Sequence, residues 1–206
     1  MHLNSRILFE LYGAPLIKPG ARVLEIGPDK LPTTLQDIAH GPGVHWDLLG
    51  LTPDPLLQFC AISEYEYPIA DESYDFVVAA NVLEHVRKPW VWIRELARVA
   101  HKDGYIILIN PVSWPYHEAP VDCWRAYPEG MKAIFDEAGV EVVVNRCETH
   151  EPIPSKRDIP GRSRSEFWWK RNLVDRALGL IGYPLERAYD TISVGIVRKI
   201  AASSQR

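Results

Sequence analysis

"VLEIGPDK", residues 23–30, is an apolar run that closes on an acid, a glycine and a proline. A short apolar run bounded by turn residues is the pattern of a strand buried on both faces, as in a parallel sheet. In open α/β sheets the turn after the first strand is the usual floor of the ligand site. A dinucleotide site places several glycines in that turn, so that backbone N–H groups can approach a pyrophosphate at the head of the next helix. Here one glycine, Gly27, is followed by Pro28, which has no N–H, and by Asp29, whose negative charge stands where a phosphate would lie. The turn suits a ligand without phosphate.

Outward from this strand, elements alternate. "LPTTLQDIAH" (31–40) reads as a helix, "VHWDLLGL" (44–51) as a second strand and "YDFVVAA" (74–80) as another buried one. "PWVWIRELARVA" (89–100) puts Ile93, Leu96, Ala97 and Ala100 on one helical face, with Pro89 suited to the first turn. "YIILIN" (105–110) is the next strand, "PEGMKAIFDEAGV" (128–140) an amphipathic helix and "VEVVVNR" (140–146) a strand. The fold class is α/β: a Rossmann-like, doubly wound, seven-stranded sheet, mostly parallel, with both faces covered by helices. The strand "TISVGIVRKI" (191–200) is expected to be antiparallel, pairing with the strand near residue 142 at the sheet edge. The whole of 1–206 reads as one domain, with a loop and helix insertion at about 150–186. Within it "FWWKRNLVDRALGLIG" (167–182) gathers Val174, Ala177, Leu178 and Ile181 on one helical face.

Composition narrows the partners. Twenty-three Lys and Arg against 27 Asp and Glu give a net charge of −4, so there is no global basic field to attract nucleic acid. No apolar run approaches membrane-spanning length, and residues 1–13 lack the features of a secretory signal, which sets the expectation of a cytoplasmic protein. The three cysteines, Cys60, Cys123 and Cys147, are widely spaced and suit reduced thiols. The basic, aromatic stretch 156–171 leaves a weaker expectation of contact with a membrane surface or a lipid-linked substrate.

Asp47 lies twenty residues past Gly27, about where an acid grips ribose hydroxyls in nucleoside-binding α/β folds. A nucleoside without phosphate, carrying positive groups that acids would welcome, describes S-adenosylmethionine. Four stretches then arrive in order: "VLEIGP", "YPIADESYDFVVAANVLEHV", "IRELARVAHKDGYIILINP" and "DCWRAYPEGMKAIFDEAGVEVV". Together they resemble the core of class I S-adenosylmethionine-dependent methyltransferases, in particular the small-molecule enzymes with an LEHV-type motif. The resemblance implies S-adenosylmethionine as cofactor, with Glu25, Gly27 and Pro28 at its methionine part and Asp47 at the ribose. It places Ser63, Glu64 and Tyr65 at the adenine, and Asn81 and Val82 on the opposite side. Two positions depart from the family: Pro28, Asp29 and Lys30 replace further glycine, and Ser63 stands where an acid is common. The altered loop raises an alternative, a methyltransferase-like binding protein without turnover.

Methyl transfer is an in-line displacement, so alignment supplies most of the acceleration, and an alcohol acceptor gains further from a base. Two histidines qualify by position. His85 in "NVLEHV" shares an i, i+3, i+4 spacing with Asn81 and Glu84, a group able to hold a metal or orient an acceptor; no metal is assigned. His117 lies in "WPYHEAPVDCWRAYP" (114–128) beyond the carboxyl end of a strand, where Tyr116, Asp122, Trp124 and Arg125 make a plausible acceptor wall. Asp122 and Arg125 fit a loop-pinning ion pair equally well. The expected reaction is methylation of a small-molecule acceptor, at an oxygen of a sugar or biosynthetic intermediate, with His117 or His85 as base.

Overall fold

In the computed structural model the described residues are 1–118, 120–150 and 189–198. The insertion at about 150–186, the 167–182 helix and the 156–171 surface therefore lie outside the described residues, apart from His150.

Seven strands form one sheet: β1 (Arg22–Ile26), β2 (His45–Gly50), β3 (Phe59–Cys60), β4 (Tyr74–Ala80), β5 (Ala100–Pro111), β6 (Val140–Glu148) and β7 (Asp190–Val197). Their order is β3-β2-β1-β4-β5-β7-β6, parallel except for β7. As expected, the last strand is antiparallel and pairs with the strand near residue 142 at the sheet edge; β7 lies between β5 and β6, and β6 is the outermost of the pair among the described strands. Burial explains this order. Seven of the eight β7 residues are buried, whereas β6 alternates, leaving Glu141 and Val143 exposed as an edge strand tolerates.

Period-two alternation distributes the apolar residues between two cores. Leu24, Val77, Ala79, Ile106 and Leu108 face one layer, against Trp92, Ile93 and Leu96 of α3 (Pro89–Val99) and Met131 and Phe135 of α4 (Pro128–Asp136). Val23, Phe76, Val78, Ile107, Ile109, Ile192 and Val194 face the other, against Leu8, Phe9 and Leu35. Trp92, the largest fully buried side chain, keeps its indole N–H satisfied by donating to the Tyr67 hydroxyl at 2.6 Å.

Sequence patterning did not reveal the amino-terminal segment. It folds as α1 (Leu3–Leu8), continues through a π-helical turn (Phe9–Gly13) and ends in a 3₁₀ turn (Ala14–Leu16). Only Leu8 and Phe9 are fully buried apolar anchors, too few to give a legible helical stripe. Between β1 and β2 lies α2 (Thr34–Ile38), a five-residue helix. Among the described residues no helix is long and apolar enough to cross a membrane.

Candidate active site

The strand order reverses between β1 and β4, so the crevice at their carboxyl ends is the topological switch point. Both strands end in left-handed backbone: Gly27 has φ +66° and Asn81 has φ +57°. A Cβ built on Gly27 would lie 2.8 Å from Cγ2 of Val82, so the two turns meet and only glycine fits the first.

Glu25, one residue before the end of β1, is 3 % exposed. Its Oε2 accepts hydrogen bonds from Thr33 Oγ1 at 2.5 Å and Trp46 Nε1 at 2.8 Å. Burial pushes its carboxyl up to about pH 7, against the pull of those two donors. Thr33 works twice, since its hydroxyl oxygen also accepts from Gln36 N–H at 3.0 Å as the N-cap of α2.

Asp29 settles the question raised by its charge. Its carboxylate accepts from Thr34 N–H at 3.1 Å and Thr34 Oγ1 at 2.7 Å. With Thr33 taking the Gln36 amide, two of the donors at the head of this helix are met by the protein's own oxygens.

Asp47 is not brought to this crevice. Register pairs it with Leu24 in the middle of β1, three residues before β2 ends at Gly50. Its Oδ2 accepts from the Tyr74 hydroxyl at 2.8 Å and lies 4.0 Å from Arg22, and Tyr74 and Arg22 both begin their strands. Asp47 therefore contacts residues at the amino-terminal ends of β1 and β4, and the expected ribose contact is not formed by the crevice. At the correct end, the chain after Gly50 runs through Thr52 to Asp54, whose Oδ1 accepts from Leu56 N–H at 2.9 Å. Counting residues could not find this loop, because register, not spacing, decides which residue reaches the strand end.

Ser63, Glu64 and Tyr65 form a tight turn just beyond β3, closed by the Ser63 to Glu66 bridge. Ser63 Oγ accepts from Tyr65 N–H at 3.2 Å, and the Tyr65 hydroxyl donates to Glu64 Oε2 at 2.8 Å. Glu64 also pairs with the Arg87 guanidinium and accepts from Arg87 N–H at 3.2 Å. Burial raises its pKa, but these donors outweigh that and hold it below the usual range.

Asn81 joins the crevice to the amino-terminal segment. Its Oδ1 accepts from His2 N–H and its Nδ2 donates to Ser5 Oγ, both at 3.3 Å. The His2 ring stacks on Trp114 with centroids 3.6 Å apart, and Asn4 Nδ2 donates to buried Asp190 at 2.8 Å. The segment thus spans from the Asn81 turn to the start of β7.

On the acceptor side, Arg125 pins residues 114–125. It pairs with both oxygens of Asp122, at 2.7 Å for Nη2 to Oδ2, and donates to the Trp124 carbonyl at 2.8 Å. The guanidinium holds the Asp122 carboxyl below its usual range, helped by His117 N–H at 2.9 Å. Trp124 Nε1 donates to the Val86 carbonyl at 2.8 Å. Tyr116 is 72 % exposed, its hydroxyl on Glu118. Asp122, Trp124 and Arg125 are bound into the loop, and Tyr116 stands free of its packing.

The loop brings His117 to His85, with ring centroids 5.1 Å apart in an edge-on arrangement. His85 Nδ1 lies 2.5 Å from the Val121 carbonyl and His117 Nδ1 3.2 Å from that of Pro115. A carbonyl accepts only, so in each ring Nδ1 is the donor to the backbone, and Nε2 is the nitrogen not engaged by the loop carbonyls.

Residues 47–108 match the family described as a methyltransferase domain. An uncharacterised methyltransferase of Mycobacteroides abscessus is 29 % identical over 112 residues, covering 52 % of this chain and 40 % of its own length. The chain thus spans about two fifths of the length of the curated relatives it matches. Among solved structures, an S-adenosylmethionine-dependent methyltransferase from Archaeoglobus fulgidus superposes with TM-score 0.62 at 16 % identity, over 93 % of this chain and 92 % of that one. A Haemonchus contortus phosphoethanolamine N-methyltransferase in complex with S-adenosyl-L-methionine gives 0.58 at 13 % identity, over 96 % and 53 %. The fold is that of the class I methyltransferases, and the segment from β2 to β5 carries methyltransferase-domain sequence.

Proposed function

We propose that this protein is an S-adenosylmethionine-dependent methyltransferase acting on a small-molecule acceptor, at an oxygen of a sugar or biosynthetic intermediate. The observation that carries the reading is Asp29. A switch-point crevice where the protein's own carboxylate and threonine cap two of the helix amides, and where the carboxylate adds negative charge, favours an adenosyl ligand over a pyrophosphate. The residues present fit such a ligand. Gly27 lets the β1 turn close against Val82 at the crevice, and buried Glu25 supplies an acid beside it for the positive amino acid end.

S-adenosylmethionine supplies the electrophilic methyl group. This chain's residues hold, orient and deprotonate. Glu25, Gly27 and Pro28 border the methionine part, the loop from Leu51 to Asp54 takes the ribose in place of Asp47, and Ser63, Glu64 and Tyr65 border the adenine. Asn81 and Val82 close the crevice from β4. The acceptor lies against Tyr116 on the frame made by Asp122, Trp124 and Arg125, and its proton leaves toward Nε2 of His117 or His85.

Calorimetry with S-adenosylhomocysteine, with NAD as control, tests the ligand class; binding of NAD alone overturns the reading. Transfer of labelled methyl from S-adenosylmethionine to a panel of hydroxylated small molecules tests turnover. The replaced glycines of the first turn favour one rival, a binding protein of the same fold, and tight binding without transfer to any acceptor would select it.

A further inference from the structure

Glu84 is buried to 0 % exposure, yet neither carboxylate oxygen has a hydrogen-bond partner among the described residues; its own amide and, at 3.9 Å, His85 Nε2 lie near it. Buried carboxylates are almost always bonded, because an unpaired one forfeits its hydration without return. Arg125, the cation that acts on it from a distance, is committed to Asp122, and Asp122 and Asp190 add negative potential at the same place. Neither oxygen of Glu84 is bonded to a described side chain.

Beside this carboxylate stand the two histidines. One donor atom from each of Glu84, His85 and His117 lies within 4.8 Å of the others, with Glu84 Oε1 3.9 Å from His85 Nε2. Tetrahedral donors at about 2.0–2.2 Å from zinc sit roughly 3.4 Å apart, so closing the group takes movements of roughly an ångström. The supporting contacts are those of a prepared site. Both imidazoles are fixed through Nδ1 on backbone carbonyls, and Asp122 lies 3.5 Å from His117 Nδ1, which orients the rings and leaves Nε2 for an ion.

We infer that Glu84, His85 and His117 bind a divalent transition ion of the zinc class, with open coordination positions toward the acceptor loop. Two imidazoles and one carboxylate select such an ion over magnesium, which prefers oxygen. Asn81, three residues before Glu84, is not a ligand, since its amide is engaged by His2 and Ser5. The inference rests on the methyltransferase reading and refines it. An acceptor hydroxyl on the ion ionises more readily, so the imidazoles act as ligands and the proton goes to solvent.

The test uses the full chain, stripped with chelator and titrated with zinc chloride by calorimetry, with circular dichroism to confirm folding. One zinc per chain is expected, unaffected by millimolar magnesium, and His117→Ala, on a side chain 36 % exposed, should weaken it at least tenfold. Glu84→Gln keeps the shape and should weaken it similarly. No zinc uptake, or uptake unchanged in both variants, overturns the site and assigns any bound zinc to other residues such as the three cysteines. S-adenosylhomocysteine titrated into the same samples separates the two readings. Its binding without zinc uptake overturns this inference alone; zinc uptake without its binding keeps the site and removes its role in methyl transfer.

Discussion

Gly27 and Val82 occupy the same space from two strands: a Cβ on the glycine would stand 2.8 Å from Cγ2 of the valine. Gly27→Ala must therefore accept both a left-handed backbone, at about 1–2 kcal/mol, and a clash with Val82. We expect loss of S-adenosylhomocysteine binding larger than the fall in melting temperature. Adding Val82→Ala should restore part of the binding, read by calorimetry on the double variant.

Asp47 distinguishes the amino from the carboxyl ends of the strands. Asp47→Ala leaves the buried Tyr74 hydroxyl without its acceptor and should cost about 1–3 kcal/mol in urea denaturation. Cofactor affinity should stay within twofold of the parent. A collapse of affinity at intact stability would return Asp47 to the ribose.

Glu25 predicts a pH dependence with a definite sign. Its folded pKa, about 7, lies above its unfolded value of 4.5, so the native state holds the proton more tightly. The stabilisation this gives is full below about pH 4.5 and is lost as pH rises to about 7, on the order of 3 kcal/mol. Glu25→Gln cannot titrate, and stability measured from pH 5 to 8 should fall less steeply in the variant than in the parent. Parallel profiles would show that the buried carboxyl is not the group responsible.

Arg125 and Tyr116 distinguish frame from wall. The Asp122 side chain is 1 % exposed, so Arg125→Ala leaves a buried charge unpaired and should cost about 3–5 kcal/mol. Tyr116→Ala, at an exposed position, should change stability by less than about 0.5 kcal/mol and act on acceptor KM alone. Equal destabilisation by both would place Tyr116 in the packing.

Buried strands were legible because β1, β4 and β5 each contain a dense apolar stretch, such as residues 76–80 and 105–109, and the glycine turn was legible because Pro28 and Asp29 are chemically unlike a phosphate cradle. What chain counting cannot supply is register and convergence. Asp47 sits at a suggestive distance from Gly27 along the chain, but backbone pairing with Leu24 holds it in mid-strand. His85 and His117 lie 32 positions apart, and loop contacts through Val121, Asp122, Cys123 and Arg125 bring their rings together. The place of β7 is not legible for a related reason: pairing with the strand near 142 leaves open which of the two is outermost.

That place matters while the polypeptide is being made. Among the described residues β6 pairs with β7 alone, and β7 is the bridge that attaches it to β5. Until residues 190–197 have left the ribosome, the nascent chain holds β6 without a partner and β5 with one open apolar border, an invitation to chaperones and to aggregation alike.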